Sequence, residues 1–211
     1  MPRNADATRA RLLQAATDEF AEHGVAGARV DRIARAAGVN KNLIYVYFGS
    51  KEQLFDAVLE AHLTRVHDEV PFTAQDLPGY TARMFDFALA HPEVVRLSSW
   101  YALERRQHGP SPTEVAAYRV KLDAIAAGQR SGTPGARFTP SALLSFVFAL
   151  AGAWTVANPL GVPVDASDPE RLAEARRAAA EAVRLLSAAT PAADGDAPLG
   201  PPPPTSTHQD A

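Results

Sequence analysis

The chain of 211 residues contains no cysteine. Disulfides, thiolate metal sites and cysteine nucleophiles are excluded with it. Histidine is sparse: the six residues form no ligand-spaced cluster, and His62 and His67 stand five apart rather than the four of a helical metal pair. They read as solvated or hydrogen-bonded side chains. The signatures H-E-x-x-H, G-x-S-x-G and G-x-G-x-x-G are missing, as is a P-loop. No uncharged apolar run of about 18 residues occurs. The nearest, SALLSFVFALAGAWTV from Ser141, is short and carries Ser, Gly and Thr, which points to a buried helix. The opening MPRNADATRA has no apolar signal core, so a cytoplasmic protein without a membrane partner is expected. Positive charge is not in excess either, the formal net charge being −3. With 46% hydrophobic and 21% charged residues, the chain has the composition of a soluble protein with a core.

The charge that matters is local. From Arg29 to Lys51, five basic residues (Arg29, Arg32, Arg35, Lys41, Lys51) face one acidic residue, Asp31, a local +4. This stretch, DRIARAAGVNKNLIYVYFGSK from Asp31, reads as two short helices across a tight turn. Ile33 and Ala37 share a face at i, i+4 spacing. Gly38 ends the first helix, because glycine takes a positive φ without steric cost. Val39 is an apolar plug, and Asn40 is an N-cap for a second helix over Lys41 to Phe48. Ile44 and Phe48 point inward, which leaves Lys41, Asn42, Leu43, Tyr45, Val46 and Tyr47 outside. A basic, amide and aromatic surface suits a major groove, where Lys and Asn read base edges and tyrosine hydroxyls reach phosphates. Ser50-Lys51-Glu52-Gln53 is a capping box that opens a longer helix, stopped near Val70 by Pro71. At ~1.5 Å per residue that helix reaches from the head into whatever follows.

The segment GVNKNLIYVYFGSKEQL, together with TRARLLQAATDEFAEHG upstream, resembles the TetR family of bacterial one-component repressors over about Thr8 to Leu59. The resemblance implies an all-α fold: an N-terminal three-helix DNA-binding domain with a helix-turn-helix, then a helical ligand-binding and dimerisation domain. The expected boundaries are 6–66 and 67–190, with the helix-turn-helix at about 29–48. DNA contacts are expected from Arg29, Val30, Asn40, Lys41, Asn42, Leu43, Tyr45, Val46, Tyr47 and Lys51. Many family members carry Thr or Ser at the positions of Ala28 and Arg29, where a hydroxyl caps the second helix and bonds a phosphate. That hydroxyl is missing here. Arg29 offers charge for the phosphate contact but leaves the cap unexplained.

Further helices are expected over Leu77 to Ala90, Glu93 to about His108, Thr113 to Ala127, Ser141 to about Asn158 and Pro169 to Ala189. Residues 1–8 read as a loose arm, 128–140 as a mobile Gly/Pro-rich loop, and 191–211 as a disordered Pro-rich tail. The apolar helix from Ser141 and the alanine-lined helix from Pro169 have surplus faces to bury. By resemblance they pair with their copies in a homodimer, which implies a palindromic double-stranded DNA operator. Met84, Phe87, Trp100, Tyr101, Tyr118, Phe146, Phe148 and Trp154 are candidates to line an apolar cavity. Arg96, Glu104, Asn158 or Thr155 would supply its polar contacts. A largely apolar, uncharged or weakly charged effector is expected, with no cofactor and no metal. The mechanism implied by the resemblance is a repressor whose ligand swings the linking helix and spoils the fit of the heads. Two rivals stay open: a dimeric regulator answering to a protein partner, and a helical enzyme with a DNA-binding appendage.

Overall fold

Proline marks where the helices begin. Its fixed φ and missing N–H suit the first helical position, and Pro92, Pro112, Pro140 and Pro169 each open a helix in the structure, a computed structural model. It describes residues 2–105, 109–158, 161, 163–165 and 167–188. The Pro-rich tail from 191 therefore lies outside the described residues. Among these residues the elements are α1 (Pro2–Gly27), α2 (Val30–Ala37), α3 (Lys41–Phe48), α4 (Lys51–Glu69), α5 (Leu77–Ala90), α6 (Pro92–Trp100), α7 (Pro112–Arg130), α8 (Pro140–Gly152) and α9 (Pro169–Leu186). A 3₁₀ turn (Ala74–Asp76) leads into α5, and a π turn (Tyr101–Arg105) follows α6. No helix is long and apolar enough to cross a membrane among the described residues.

The first four helices share one core. Leu12, Ala16 and Phe20 form the inner stripe of α1 and are fully buried with Ile33, Ile44, Leu54, Phe55 and Val58. The Phe20 ring meets Phe55 edge-on at 5.1 Å. Each of the seven larger side chains contributes roughly 1.5–3 kcal/mol by leaving water, and together they hold the small head. The helix α1 starts at Pro2, so the expected loose arm is helical, and Thr8 is already buried. Helical geometry breaks at Gly24 (φ 68°), a conformation that glycine adopts without steric cost.

The remaining helices enclose a second core of Leu77, Tyr80, Phe87, Ile125, Leu143, Leu144, Val147 and Val183. The helix α5 runs against both α8 and α9, and Arg176 of α9 donates to both carboxylate oxygens of Asp86 (2.8 and 2.9 Å). Side chains satisfy the free N–H groups at the helix starts: Asp76 for α5, Ser111 with Glu114 as a full capping box for α7, Thr139 for α8 and Asp168 for α9.

Three further expectations change. The helix from Pro92 is regular only to Trp100, where the π turn takes over. The apolar helix ends at Gly152 rather than near Asn158, in a turn held by the Thr155 hydroxyl on the Gly152 carbonyl (2.8 Å). The Gly/Pro-rich loop is packed: the Gln129 amide donates to the Gly135 and Phe138 carbonyls (3.2 and 2.7 Å), and the Gly135 N–H donates to Ser187 (2.8 Å). One glutamine supplies the hydrogen bonds that the loop lacks for want of regular structure.

Candidate nucleic-acid interface and cavity

The turn between α2 and α3 is built as its residues demand. Gly38 takes φ 65° and ψ 38°, and the Val39 N–H returns to the Ala34 carbonyl (3.0 Å). Val39 packs against the head core. The Asn40 side chain accepts from the Asn42 N–H (2.9 Å), so its oxygen is spent on starting α3. With Ile44 and Phe48 buried, α3 presents Lys41, Asn42, Tyr45 and Val46 to solvent. Val46 is 76% exposed, far more than an isolated valine needs to be. Leu43, Tyr47 and Val30 are only partly exposed, and Val30 and Tyr47 pack on the core. They flank the surface rather than project from it. Phe48 also receives the guanidinium of Arg9, 5.5 Å above its ring.

The five local cations are not equivalent. Arg32 is held by Glu19 of α1, with contacts of 2.8 and 3.0 Å from Nε and 2.6 Å from Nη2. Glu19 also accepts from the Arg29 N–H (2.8 Å). This carboxylate stands where the missing hydroxyl left the start of α2 unexplained. Burial pushes the Glu19 carboxyl up, but the hydrogen bonds of Arg32 and the Arg29 N–H outweigh it and leave the carboxyl below its ordinary range. Lys41 pairs with Asp31 across the turn at 3.0 Å, which raises its pKa. Lys51, in the first turn of α4, donates to the Ala28 carbonyl (3.3 Å). Arg29 and Arg35 are exposed and make no ion pair among the described residues.

A cavity of about 800 Å³ lies behind the head. The far half of α4 forms one wall with Leu59, His62, Leu63 and Val66; α5 supplies Met84 and Phe87, α6 Val94, α7 Ala117 and Lys121, and α8 Phe148 and Ala151. Tyr101 and Thr155 line it as well. Trp100, Tyr118 and Trp154 do not line it, and the reasons are physical. Trp100 donates from Nε1 to the Ala21 carbonyl (3.3 Å) and covers Gly24, fastening α6 to α1. Tyr118 is on the exposed side of α7. Trp154 stacks edge-on against Phe85 at 6.1 Å. Phe146 likewise packs on Phe138 (5.3 Å). Among the polar candidates only Thr155 reaches the cavity. Glu104 accepts from the Ala26 N–H (2.8 Å), and the Asn158 amide donates to Ala153 (2.9 Å).

His62, which reads from the sequence as a solvated or hydrogen-bonded side chain, joins the cavity to the head. It lines the cavity, and its Nε2 is 3.2 Å from the Thr17 hydroxyl of α1. That hydroxyl donates to the Leu13 carbonyl (2.9 Å), so it is left to accept from His62 Nε2–H. Burial pushes the imidazole pKa down and keeps it neutral. The available signal was the Leu59, Leu63, Val66 stripe, which runs past the part of α4 that the head can cover. Lys121 gave no signal at all: it is one lysine on a helix with mixed faces. No group of three His, Asp or Glu side chains fit for a metal occurs among the described residues.

Residues 12–58 match the family described as bacterial regulatory proteins, tetR family, and residues 76–184 match the tetracyclin repressor-like C-terminal domain. The HTH-type transcriptional repressor SCO4008 of Streptomyces coelicolor is 40% identical over 168 residues, which is 74% of this chain and 82% of the relative. The HTH-type transcriptional repressor NicS of Pseudomonas putida is 32% identical over 61% of this chain and 66% of its own length. Among solved structures, the transcriptional regulator SCO4942 of Streptomyces coelicolor superposes with a TM-score of 0.72 at 33% identity, covering 85% of this chain and 97% of that one.

Proposed function

The chain belongs to the TetR family of bacterial transcriptional regulators, and on that premise we propose that it is a homodimeric repressor which binds a palindromic operator through α3 and lets go when a small, largely apolar effector fills the cavity. The observation that carries this reading is the double membership of α4. It begins at Lys51 behind α3, and its far half is a wall of the cavity. An occupant that displaces Leu59, His62 or Val66 moves the same rigid helix that seats α3, and the His62–Thr17 bond hands the displacement to α1. The ligand acts only through its different affinity for the two arrangements.

On this reading the heads sit with Lys41, Asn42, Tyr45 and Val46 in the major groove, Arg29 and Lys51 on the flanking phosphates, and Tyr47 and Leu43 at the rim. Asp31 holds Lys41 poised before DNA arrives. The boundary between the units is best drawn within α4, near 66, although Leu97 of α6 is fully buried in the head core. The dimer reading rests on α8 and α9. In the single chain Ser145, Phe148 and Ala149 of α8 and Ala178 and Leu185 of α9 are uncovered, as a two-fold contact requires. An apolar-walled cavity of about 800 Å³ favours a small molecule over a protein partner as the signal.

The test is a DNA-binding assay on the operator selected from random sequence, with and without a panel of apolar compounds, alongside isothermal titration of the same compounds. A compound that binds the protein and lowers its operator affinity is the expected result. A panel with no binder and no effect on operator affinity counts against the effector.

A further inference from the structure

The cavity wall is apolar apart from a few groups, and these do not cancel. Its carboxylate, Glu114, is already occupied: Oε2 accepts from the Ser111 N–H (2.7 Å) and from the Tyr101 hydroxyl (3.1 Å), closing the capping box of α7. Seven residues along the same helix, Lys121 reaches the wall with no carboxylate within salt-bridge distance among the described residues. Its neighbour of note is the Phe72 ring, whose centroid is 5.8 Å from Nζ. Phe72 also meets Tyr80 edge-on, at 4.9 Å between centroids. Tyr80 is fully buried, contributes to the same cavity wall, and its hydroxyl has no hydrogen-bond partner. Burial pushes the Lys121 pKa down and the Tyr80 pKa up to about 12, the directions expected of an ammonium and a phenol short of partners. An ammonium in an apolar wall is costly unless an opposite charge comes with it. A phenol held protonated can only gain from an acceptor. Lys121 calls for a negative charge and the Tyr80 hydroxyl for an acceptor oxygen, and an oxyanion is both.

We propose that the occupant of the cavity is an amphipathic anion, with an apolar body against Met84, Phe87 and Val94 and a carboxylate or comparable oxyanion head paired with Lys121. This rests on the reading of the cavity as an effector site and gives that effector a chemical class. It narrows the sequence expectation to the weakly charged case and fixes the sign. His62 does not oppose it, because the neutral ring brings no negative charge to the wall.

The experiment is isothermal titration of the full chain with three probes that share a ten-carbon tail: decanoate, 1-decanol and decyltrimethylammonium, each below its micelle concentration. Decanoate is expected to bind about ten- to a hundredfold more tightly than decanol, as a charge-assisted contact provides, and the cation is expected to bind worst. Lys121→Met should erase the advantage of decanoate and leave decanol unchanged. Lys121→Arg should restore the preference, which separates the charge from any packing defect. Equal binding of decanoate and decanol, or tighter binding of the cation, overturns the proposal while the cavity reading stands. Binding of none of the three overturns the cavity reading itself, and the proposal with it.

Discussion

The carboxylate of Glu19 does for α2 what a side-chain hydroxyl at its start would do, and it holds Arg32 as well. Glu19→Ala should therefore destabilise the head by about 1–3 kcal/mol, since it leaves a guanidinium and a backbone N–H without their acceptor; thermal unfolding checks this. Because the folded-state carboxyl lies below its ordinary value, its contribution is present at neutral pH and fades as pH falls through the acidic carboxylate range. The α3 surface is tested one residue at a time. Asn42→Ala should relax discrimination at particular bases, by ~1–3 kcal/mol. Lys51→Ala should weaken binding to all sequences alike and reduce the slope of log affinity against log salt by roughly one. Competition binding with single-base operator variants over a salt series separates the two. The outward set Lys41, Asn42, Tyr45 and Val46 was legible because helical period and two buried neighbours, Ile44 and Phe48, determine it. The partners of Lys41 and Arg32 were not legible, since Asp31 and Glu19 meet them only once the helices are packed.

At the scale of elements, α4 connects the two halves, and His62 is the cavity-lining residue that also contacts α1. Thr17→Val removes the acceptor of the His62 bond but keeps the shape. It should leave operator affinity near that of the parent while reducing the change in that affinity on effector binding, a coupling read from paired titrations with and without effector. Burial depresses the folded-state pKa of His62. An unfolded chain then binds the proton more readily, so stability present above the ordinary histidine range is lost as pH falls through it. The melting temperature of the parent should drop more between pH 7.5 and 5 than that of His62→Gln. Gly24 is the other joint. A Cβ there would sit 2.5 Å from Glu104 Oε1 and 2.9 Å from the Trp100 ring, at a φ of 68°. Gly24→Ala should cost more than ~1 kcal/mol and loosen α6 from α1. The sequence does not show that an indole fills the space beside Gly24. For the same reason Trp100 read as a cavity residue: aromatic content marks burial without saying what is buried against it.

At the scale of the whole molecule, the proposed dimer would close on the uncovered faces of α8 and α9, and Phe148 lines the cavity while being 38% exposed on that side. Phe148→Glu should shift the sedimentation of the protein towards monomer and weaken operator binding with it, because each head alone reads half a palindrome. The fold class was expected from the family resemblance, and the nine helices among the described residues in outline from period, caps and breakers; what escaped were positions that depend on several helices at once, such as Lys121 and the packed 128–140 loop. The measurement that tests the central claim most directly is selection of bound DNA from a random-sequence pool with the purified protein. One palindromic site, with half-sites spaced for two copies of α3, is the expected result. No enrichment at low salt, or enrichment that survives alanine at both Lys41 and Asn42, would contradict the account.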